Sequence, residues 1–489
     1  MPAFPHLAQP LEGPRLRLKN RIAHPAILTL LVQNQEVSEA FLRYHANRAK
    51  GGAAMIVVEP VNALSWQSQH QAQLNVYDNA ALPGLARLAN EVRSHNCRIL
   101  AQIQDHGRGN YSRTRPDITY GPSALPDDES GGVPYPLSGD QVAEMIAAFA
   151  ASARRLESAG FDGVELSCAH GHLFHQFLSP HSNHRDDRYG GDFASRLRLV
   201  QELIAAIRSA CGPAFVIGLK LPADEGITGG IDLAEAKRIT EALADPHVID
   251  FIAYAWGSQS NTLHWHVPDG HWPRMPHVAR VAELRSAAAG IPVMALGRIV
   301  DPNEAEAVLT AGQADLVGIG RAMITDPAWA RKALRGRGYA IRPCVSCNTC
   351  WGSVATPSAI TCDNNPALAT PGEIDGVPAR EQGLRRIVVV GAGVAGLEAA
   401  WVAAARGHDV TLFSASSKLG GRARLAAALP GAEALAGVYD YQGAEAQSRG
   451  VRIELGIKAT IPDILGLAPD DVVLASGARM AWPTDLLGD

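Results

Sequence analysis

The sequence lacks any apolar run long enough to cross a bilayer, since Ile387 to Val390 and the Ala-rich stretch from Ala399 are too short or too interrupted. That excludes a helical membrane span. The opening Met1-Pro-Ala-Phe-Pro-His lacks the charged-then-apolar pattern of a secretory leader, so a cytoplasmic location is expected and disulfides are not. Charge is scarce, at 19% of residues, and balanced to a net -5, which leaves no footprint for a polyanion. No nucleic-acid or membrane partner is therefore expected. Internal repeats and low-complexity segments are absent beyond the Ala-rich helices.

What is present is a 489-residue chain, 47% hydrophobic, long enough for two or three domains that each bury a core. Eight short β-rich runs recur: Ile22-Ala-His, Met55-Ile-Val-Val, Ile99-Leu-Ala-Gln-Ile, Gly163-Val-Glu-Leu, Phe215-Val-Ile-Gly-Leu, Phe251-Ile-Ala-Tyr, Val293-Met-Ala-Leu and Leu316-Val-Gly-Ile. Amphipathic stretches such as Val37 to Lys50, Asp140 to Ala159, Ala194 to Ala210 and Asp232 to Ala244 separate them. Eight strand–helix units predict an α/β fold, a closed (β/α)8 TIM barrel. Gly297-Arg298 follows the seventh run and Gly320-Arg321 the eighth. Barrels of this kind hold phosphates with those two loops, and close-approaching amides beside two guanidinium forks suit one.

Seven cysteines occur, and four crowd into Cys344-Val-Ser-Cys347-Asn-Thr-Cys350 and Cys362, leaving Cys97, Cys168 and Cys211 apart. A triple plus one is the spacing of a [4Fe–4S] cluster; tetrahedral zinc takes four thiolates too, usually as two separated pairs. A Pro/Gly-punctuated connection from Pro366 then leads to Arg385-Arg-Ile-Val-Val-Val-Gly391-Ala-Gly393-Val-Ala-Gly396, a strand, glycine turn and helix of dinucleotide-binding type. The expected division is residues 1–335 barrel, 336–383 cluster segment and linker, and 384–489 a partial Rossmann-like domain.

Several stretches taken together carry a resemblance: Lys19-Asn-Arg-Ile, Ala101-Gln-Ile-Gln, Gly163-Val-Glu-Leu-Ser-Cys-Ala-His-Gly-His-Leu, Ser182-Asn-His-Arg-Asp-Asp-Arg-Tyr-Gly-Gly, Leu296-Gly-Arg and Gly320-Arg, then the cysteines and the glycine turn. Over nearly its whole length the chain resembles the old yellow enzyme class of NADH:flavin oxidoreductases, in the branch of 2,4-dienoyl-CoA reductase and trimethylamine dehydrogenase. The resemblance implies FMN at the barrel mouth, with Ala26, Gln102 and Lys220 at the flavin and Gly297, Arg298, Gly320 and Arg321 at its phosphate. Lysine at 220 replaces the family's usual arginine, keeping the cation and losing the fork. Leu28 stands where the amine dehydrogenase has a flavin-linked cysteine, so FMN is expected to be non-covalent.

The resemblance places the catalytic candidates at Ser167, His170 and His172, where the family's usual tyrosine proton donor is replaced by His172. Imidazole at His170 and His172 suits proton transfer or substrate orientation. Gln259 occupies the place of the amine dehydrogenase's triad carboxylate, and Trp256 that of an aromatic wall facing a cationic substrate. Pro60 and Val354 replace other aromatics of that wall, for which Trp351, Trp265 and Trp272 are candidate substitutes. Asn183, Arg185 and Tyr189 read as loop scaffolding.

In the second domain, Gly391, Gly393 and Gly396 would let a pyrophosphate of FAD or ADP approach, although Val410-Thr-Leu-Phe-Ser414 ends in serine rather than the usual acid. The strand from Asp471 resembles the close of the first half of the family's FAD domain, so the family's NAD(P)H domain is expected to be missing and the chain truncated or split. An external electron carrier or partner subunit, and a homo-oligomer, are expected. The resemblance leads to a dehydrogenase or demethylase of a small N-methylated or secondary amine, passing electrons from FMN to the cluster and on to that acceptor. Its alternatives are an ene-reductase acting on an activated C=C bond and a non-catalytic electron-transfer subunit.

Overall fold

A computed structural model describes residues 3–65, 73–109 and 118–478. Contacts divide it into two units, the first comprising Met1–Ile341 with Ser346–Ile374 and the second Arg342–Val345 with Asp375–Asp489.

In the first unit, β1 (Ile22–His24), β2 (Met55–Val61), β3 (Arg98–Ile103), β4 (Gly163–Ser167), β5 (Val216–Asp224), β6 (Phe251–Trp256), β7 (Val293–Ala295) and β8 (Leu316–Gly318) form a closed barrel. Each strand pairs in parallel with its sequence neighbour, and β8 closes on β1. The predicted strands are all there, because runs buried on both faces read as continuous apolar segments. The outer helices are α1 (Glu39–Lys50), α2 (Leu82–Ser94), α3 (Gly139–Ser158), α4 (Phe193–Ala210), α5 (Leu233–Leu243), α6 (Val278–Arg285), α7 (Pro302–Thr310) and α8 (Trp329–Leu334).

Side-chain caps start many of these helices. Ser38 accepts the Phe41 amide, Asp192 that of Ser195 and Asp232 that of Glu235, while Ser138 with Gln141 and Asp301 with Glu304 form reciprocal capping boxes. Each such cap stabilises its helix by about 1 kcal/mol.

The barrel is filled where the strands begin. Met55, Val57, Leu100, Val216, Phe251, Met294 and Leu316 form one buried cluster, which Leu11 and Leu18 of a short N-terminal hairpin join. Gly218 makes room for the Phe251 ring, since a Cβ there would stand 2.1 Å from Phe251 Cε1. With that end packed, the cavity lies at the end where the strands finish.

After α8 the chain carries α9 (Thr349–Ala355). This segment is tied back to α1 by Glu373, which is fully buried against the equally buried Arg48 at 3.2 Å. Glu373 also accepts from Asn47 at 2.9 Å, from Asn365 at 3.1 Å and from the Ala369 amide at 3.1 Å.

The second unit has four parallel strands, β9 (Arg386–Val390), β10 (Asp409–Ser414), β11 (Arg452–Leu455) and β12 (Asp471–Leu474), in the order β11-β10-β9-β12. This is the strand order of a Rossmann half-domain. Its core joins Val389, Leu397, Ala400, Trp401, Leu412 and Ala446. Among the described residues, no helix is long and apolar enough to cross a membrane.

Candidate active site

A cavity of about 280 Å³ opens at the strand ends of the barrel. Its walls include Ala26 and Leu28 from the loop after β1, Gln102 from β3, Lys220 from β5, and the loops after β4, β6, β7 and β8. Strand register explains its floor. Gln102 is paired with Glu165 and Ser167 with Lys220 across neighbouring strands. Glu165 is fully buried, and its Oε1 accepts from Gln102 Nε2 at 2.7 Å and from Lys220 Nζ at 2.8 Å, while Oε2 has no partner. Sequence reading missed Glu165, although an acid inside a buried apolar run signals a charged partner nearby. Ser167 is buried below the cavity rather than lining it, and its Oγ is unpartnered.

One end of the cavity is cationic. Gly297 (φ +104°) and Arg298 (φ +51°) are successive left-handed residues, and Gly320 and Arg321 stand beside them in the wall. Arg298 Nε donates to Ser346 Oγ at 3.2 Å, and Arg321 donates to Asn348 Oδ1. Burial, with Arg274 and Arg321 nearby, pulls Arg298 below its usual value. A buried guanidinium among other cations is the setting of an anion, and a phosphate fits it.

The loop after β4 carries the histidines. His170 (φ +64°) and Gly171 (φ +80°) turn the chain sharply, and the His170 carbonyl accepts the Gln259 amide at 3.0 Å. His170, His172 and Gln259 all line the cavity. His266 and His106, which sequence reading did not single out, meet them there. The His170 and His266 ring centroids are 3.8 Å apart, those of His170 and His172 6.2 Å, and those of His106 and His172 5.2 Å. Burial, reinforced by neighbouring cations and imidazoles, drives His170 and His172 well below the ordinary value and His266 down to about 3. These rings are neutral at pH 7.

Trp256 ends β6, lines the cavity and stacks parallel on His277 at 4.5 Å, with its Nε1 buried and unpartnered. Pro60, Val354, Trp265 and Trp351 share the wall, whereas Trp272 lies behind it, 6.2 Å from His277. Asn183, Arg185 and Tyr189 form a hydrogen-bonded loop outside the cavity, Asn183 Nδ2 donating to the Phe177 and Tyr189 carbonyls. No aspartate or glutamate is among the described residues of the cavity wall.

In the second unit the glycine turn is tight. A Cβ at Gly391 would stand 2.2 Å from the Ala475 carbonyl oxygen and one at Gly396 1.8 Å from that of Gly391, while nothing lies within 4 Å of one at Gly393. The open approach at Gly393 fits a pyrophosphate. Ser414 Oγ accepts the Ser416 amide at 3.2 Å. Cys344 is buried, Cys350 and Cys362 are half-buried and Cys347 is exposed, with Cys347 Sγ 3.5 Å from Thr349 Oγ1 and Cys362 Sγ 3.6 Å from Thr325 Oγ1. Among the described residues, no three Cys, His, Asp or Glu side chains are arranged to hold a metal ion.

Residues 389–444 match an NAD(P)-binding Rossmann-like domain. The chain is 35% identical to an NADH oxidase of Thermoanaerobacter brockii over 99% of its own length and 74% of the relative's. It is 33% identical to an N,N-dimethylglycine/sarcosine dehydrogenase of Chromohalobacter salexigens, covering 98% of this chain and 70% of that one. A 2-naphthoyl-CoA reductase in complex with 2-naphthoyl-CoA superposes with a TM-score of 0.93 at 25% identity, over 98% of this chain and 75% of the other. With residues 6–339 matching its description, the chain belongs to the NADH:flavin oxidoreductase / NADH oxidase family and is a flavin-dependent oxidoreductase.

Proposed function

We propose that this chain is an FMN-dependent dehydrogenase, or demethylase, of a small N-methylated or secondary amine. The observation that carries this reading is the neutral imidazole cluster of His170, His172 and His266 beside Trp256, in a wall whose described residues include no carboxylate. An amine is oxidised as its free base, and uncharged imidazoles add no positive charge beside it, whereas carbon protonation after alkene reduction needs an acid. The dimethylglycine/sarcosine dehydrogenase relative supports the same reading.

Gln102, Lys220 and the Ala26 loop would hold the flavin ring, and Gly297, Arg298, Gly320 and Arg321 its phosphate. When bound, FMN supplies the hydride acceptor for the carbon next to nitrogen. Lys220 keeps a cation at the ring, Glu165 and Gln102 fix its direction, Trp256 and Gln259 face substrate, and buried Ser167 supports the loop. The spacing of Cys344, Cys347, Cys350 and Cys362 supports a [4Fe–4S] cluster as a second cofactor. FAD or ADP at Gly391, Gly393 and Gly396, and an external electron carrier, complete the proposal.

Ene-reduction is the second reading, favoured by the 2-naphthoyl-CoA reductase likeness; His172 would then donate the proton. Anaerobic spectroscopy separates the two. N-methylated amines are expected to bleach the flavin, and if only enones reoxidise the chemically reduced protein, the second reading replaces the first. Iron and acid-labile sulfide at four each per chain test the cluster.

A further inference from the structure

We infer that Glu165 is a positioning residue for the redox step: from behind the cavity floor it holds Lys220 in place and offsets part of its charge, and so sets how strongly the flavin draws electrons. The inference rests on FMN lying in this cavity, and it holds whether the substrate is an amine or an alkene.

Three observations lead there. First, Glu165 is fully buried and is not among the described residues of the cavity wall, yet it bonds two side chains that are, Gln102 at 2.7 Å and Lys220 at 2.8 Å. A carboxylate only accepts, so Gln102 turns its amide nitrogen to Glu165 and keeps its carbonyl oxygen for a ligand. Second, both bonds fall on Oε1, while Oε2 is buried with no partner. A bare buried carboxylate oxygen costs stability that a neutral side chain would spare, which is the mark of a charge kept for its effect on a neighbour. Third, Lys220 is felt across the cavity. Burial comes first, but Lys220 is among the charges that hold His170, His172 and His266 below their ordinary value. The same field reaches a ring bound in that space.

Charge decides the sign of the effect. A hydride brings two electrons and one proton, so the flavin ring gains one negative charge as the substrate loses one. A cation at the ring favours that charge and an anion opposes it. Lys220 alone would therefore hold FMN firmly in its reduced form. With Glu165 at 2.8 Å behind the ammonium, part of that pull is cancelled, and the reduced flavin gives its electrons on more readily. Glu165 thus acts through Lys220 and Gln102, without being counted in the cavity wall itself.

The test measures the two-electron potential of the bound flavin, by anaerobic dye equilibration at pH 7 on the intact flavin-loaded protein, and the affinity of sulfite, which adds to the oxidised ring and leaves the same negative charge with no substrate present. Glu165→Gln keeps an oxygen that accepts from Gln102 and Lys220 and removes the charge. It is expected to shift the reduction equilibrium about tenfold toward reduced flavin, a rise of about 30 mV for two electrons, and to tighten sulfite binding by a similar factor. Lys220→Met should move both readings the opposite way. If Glu165→Gln does not fold, Glu165→Asp, which draws the carboxylate back by one methylene, should give a smaller rise. An unchanged or lowered potential in the folded Glu165 variant, or a shift of the same sign in the Glu165 and Lys220 variants, overturns the inference and leaves FMN binding standing. A purified chain that takes up no FMN removes the flavin reading and the inference together.

Discussion

His175 accepts the Gly171 amide at Nδ1 (2.9 Å), and its Nε2 lies 3.0 Å from Glu225 Oε1. Through that contact a buried acid fixes the turn between His170 and His172. Glu225 also accepts from Ser179 Oγ and from the Ile231 amide, each at 2.6 Å. Burial alone would raise its pKa, but His175 and these donors outweigh it and hold Glu225 at about 2, against an ordinary 4.5. A depressed carboxyl stabilises the fold above the unfolded value and loses that contribution as pH falls from about 4.5 through about 2. The difference corresponds to roughly 3 kcal/mol. Urea unfolding between pH 6 and pH 3 is expected to show a shallower acid loss in Glu225→Gln than in the parent chain. The same slope in both would deny Glu225 this role.

At the scale of elements, the segment bearing α9 is held to α1 by the Arg48–Glu373 pair, both side chains fully buried. Removing one partner of such a pair strands the other charge, at about 3–5 kcal/mol. Glu373→Gln is therefore expected to lower stability by about that amount, and to loosen Trp351 and Val354 in the cavity wall, read as faster tryptophan quenching by acrylamide. Unchanged stability and quenching would place the segment's anchor elsewhere. Nothing in the sequence marks Arg48 and Glu373 as partners, because 325 positions separate them. The barrel strands were legible for the opposite reason, since each announces its burial within a few residues. The two Gly-Arg pairs were legible as repeats at equivalent strand ends, and both line the cavity. His266 was not, because its meaning comes from facing His170 across two loops, and periodicity carries no information about that. Glu165 lay in plain view within Gly163-Val-Glu-Leu, but only the register of β3, β4 and β5 brings Gln102 and Lys220 to it.

At the scale of the whole molecule, the two units have separate cores, Met55 and Phe251 with their neighbours in one, Leu397 and Trp401 with theirs in the other. A lesion inside one core should therefore leave the other's chemistry in place. Gly396 provides the lesion. A Cβ there would stand 1.8 Å from the Gly391 carbonyl oxygen, backbone that cannot move without opening the turn between β9 and the helix Val394–Ala405. Gly396→Ala is expected to cost about 3 kcal/mol, which for a unit of this size lowers its melting temperature by roughly 10 to 20 °C. The flavin absorbance of the barrel should persist through that transition. Gly393→Ala is the contrasting variant, since its Cβ meets nothing within 4 Å. It should melt like the parent chain yet bind ADP more weakly, because the added methyl occupies the space a pyrophosphate needs. Scanning calorimetry with flavin absorbance, and ADP titration, read the two effects separately. Loss of flavin together with the second unit in Gly396→Ala would show that the units fold as one.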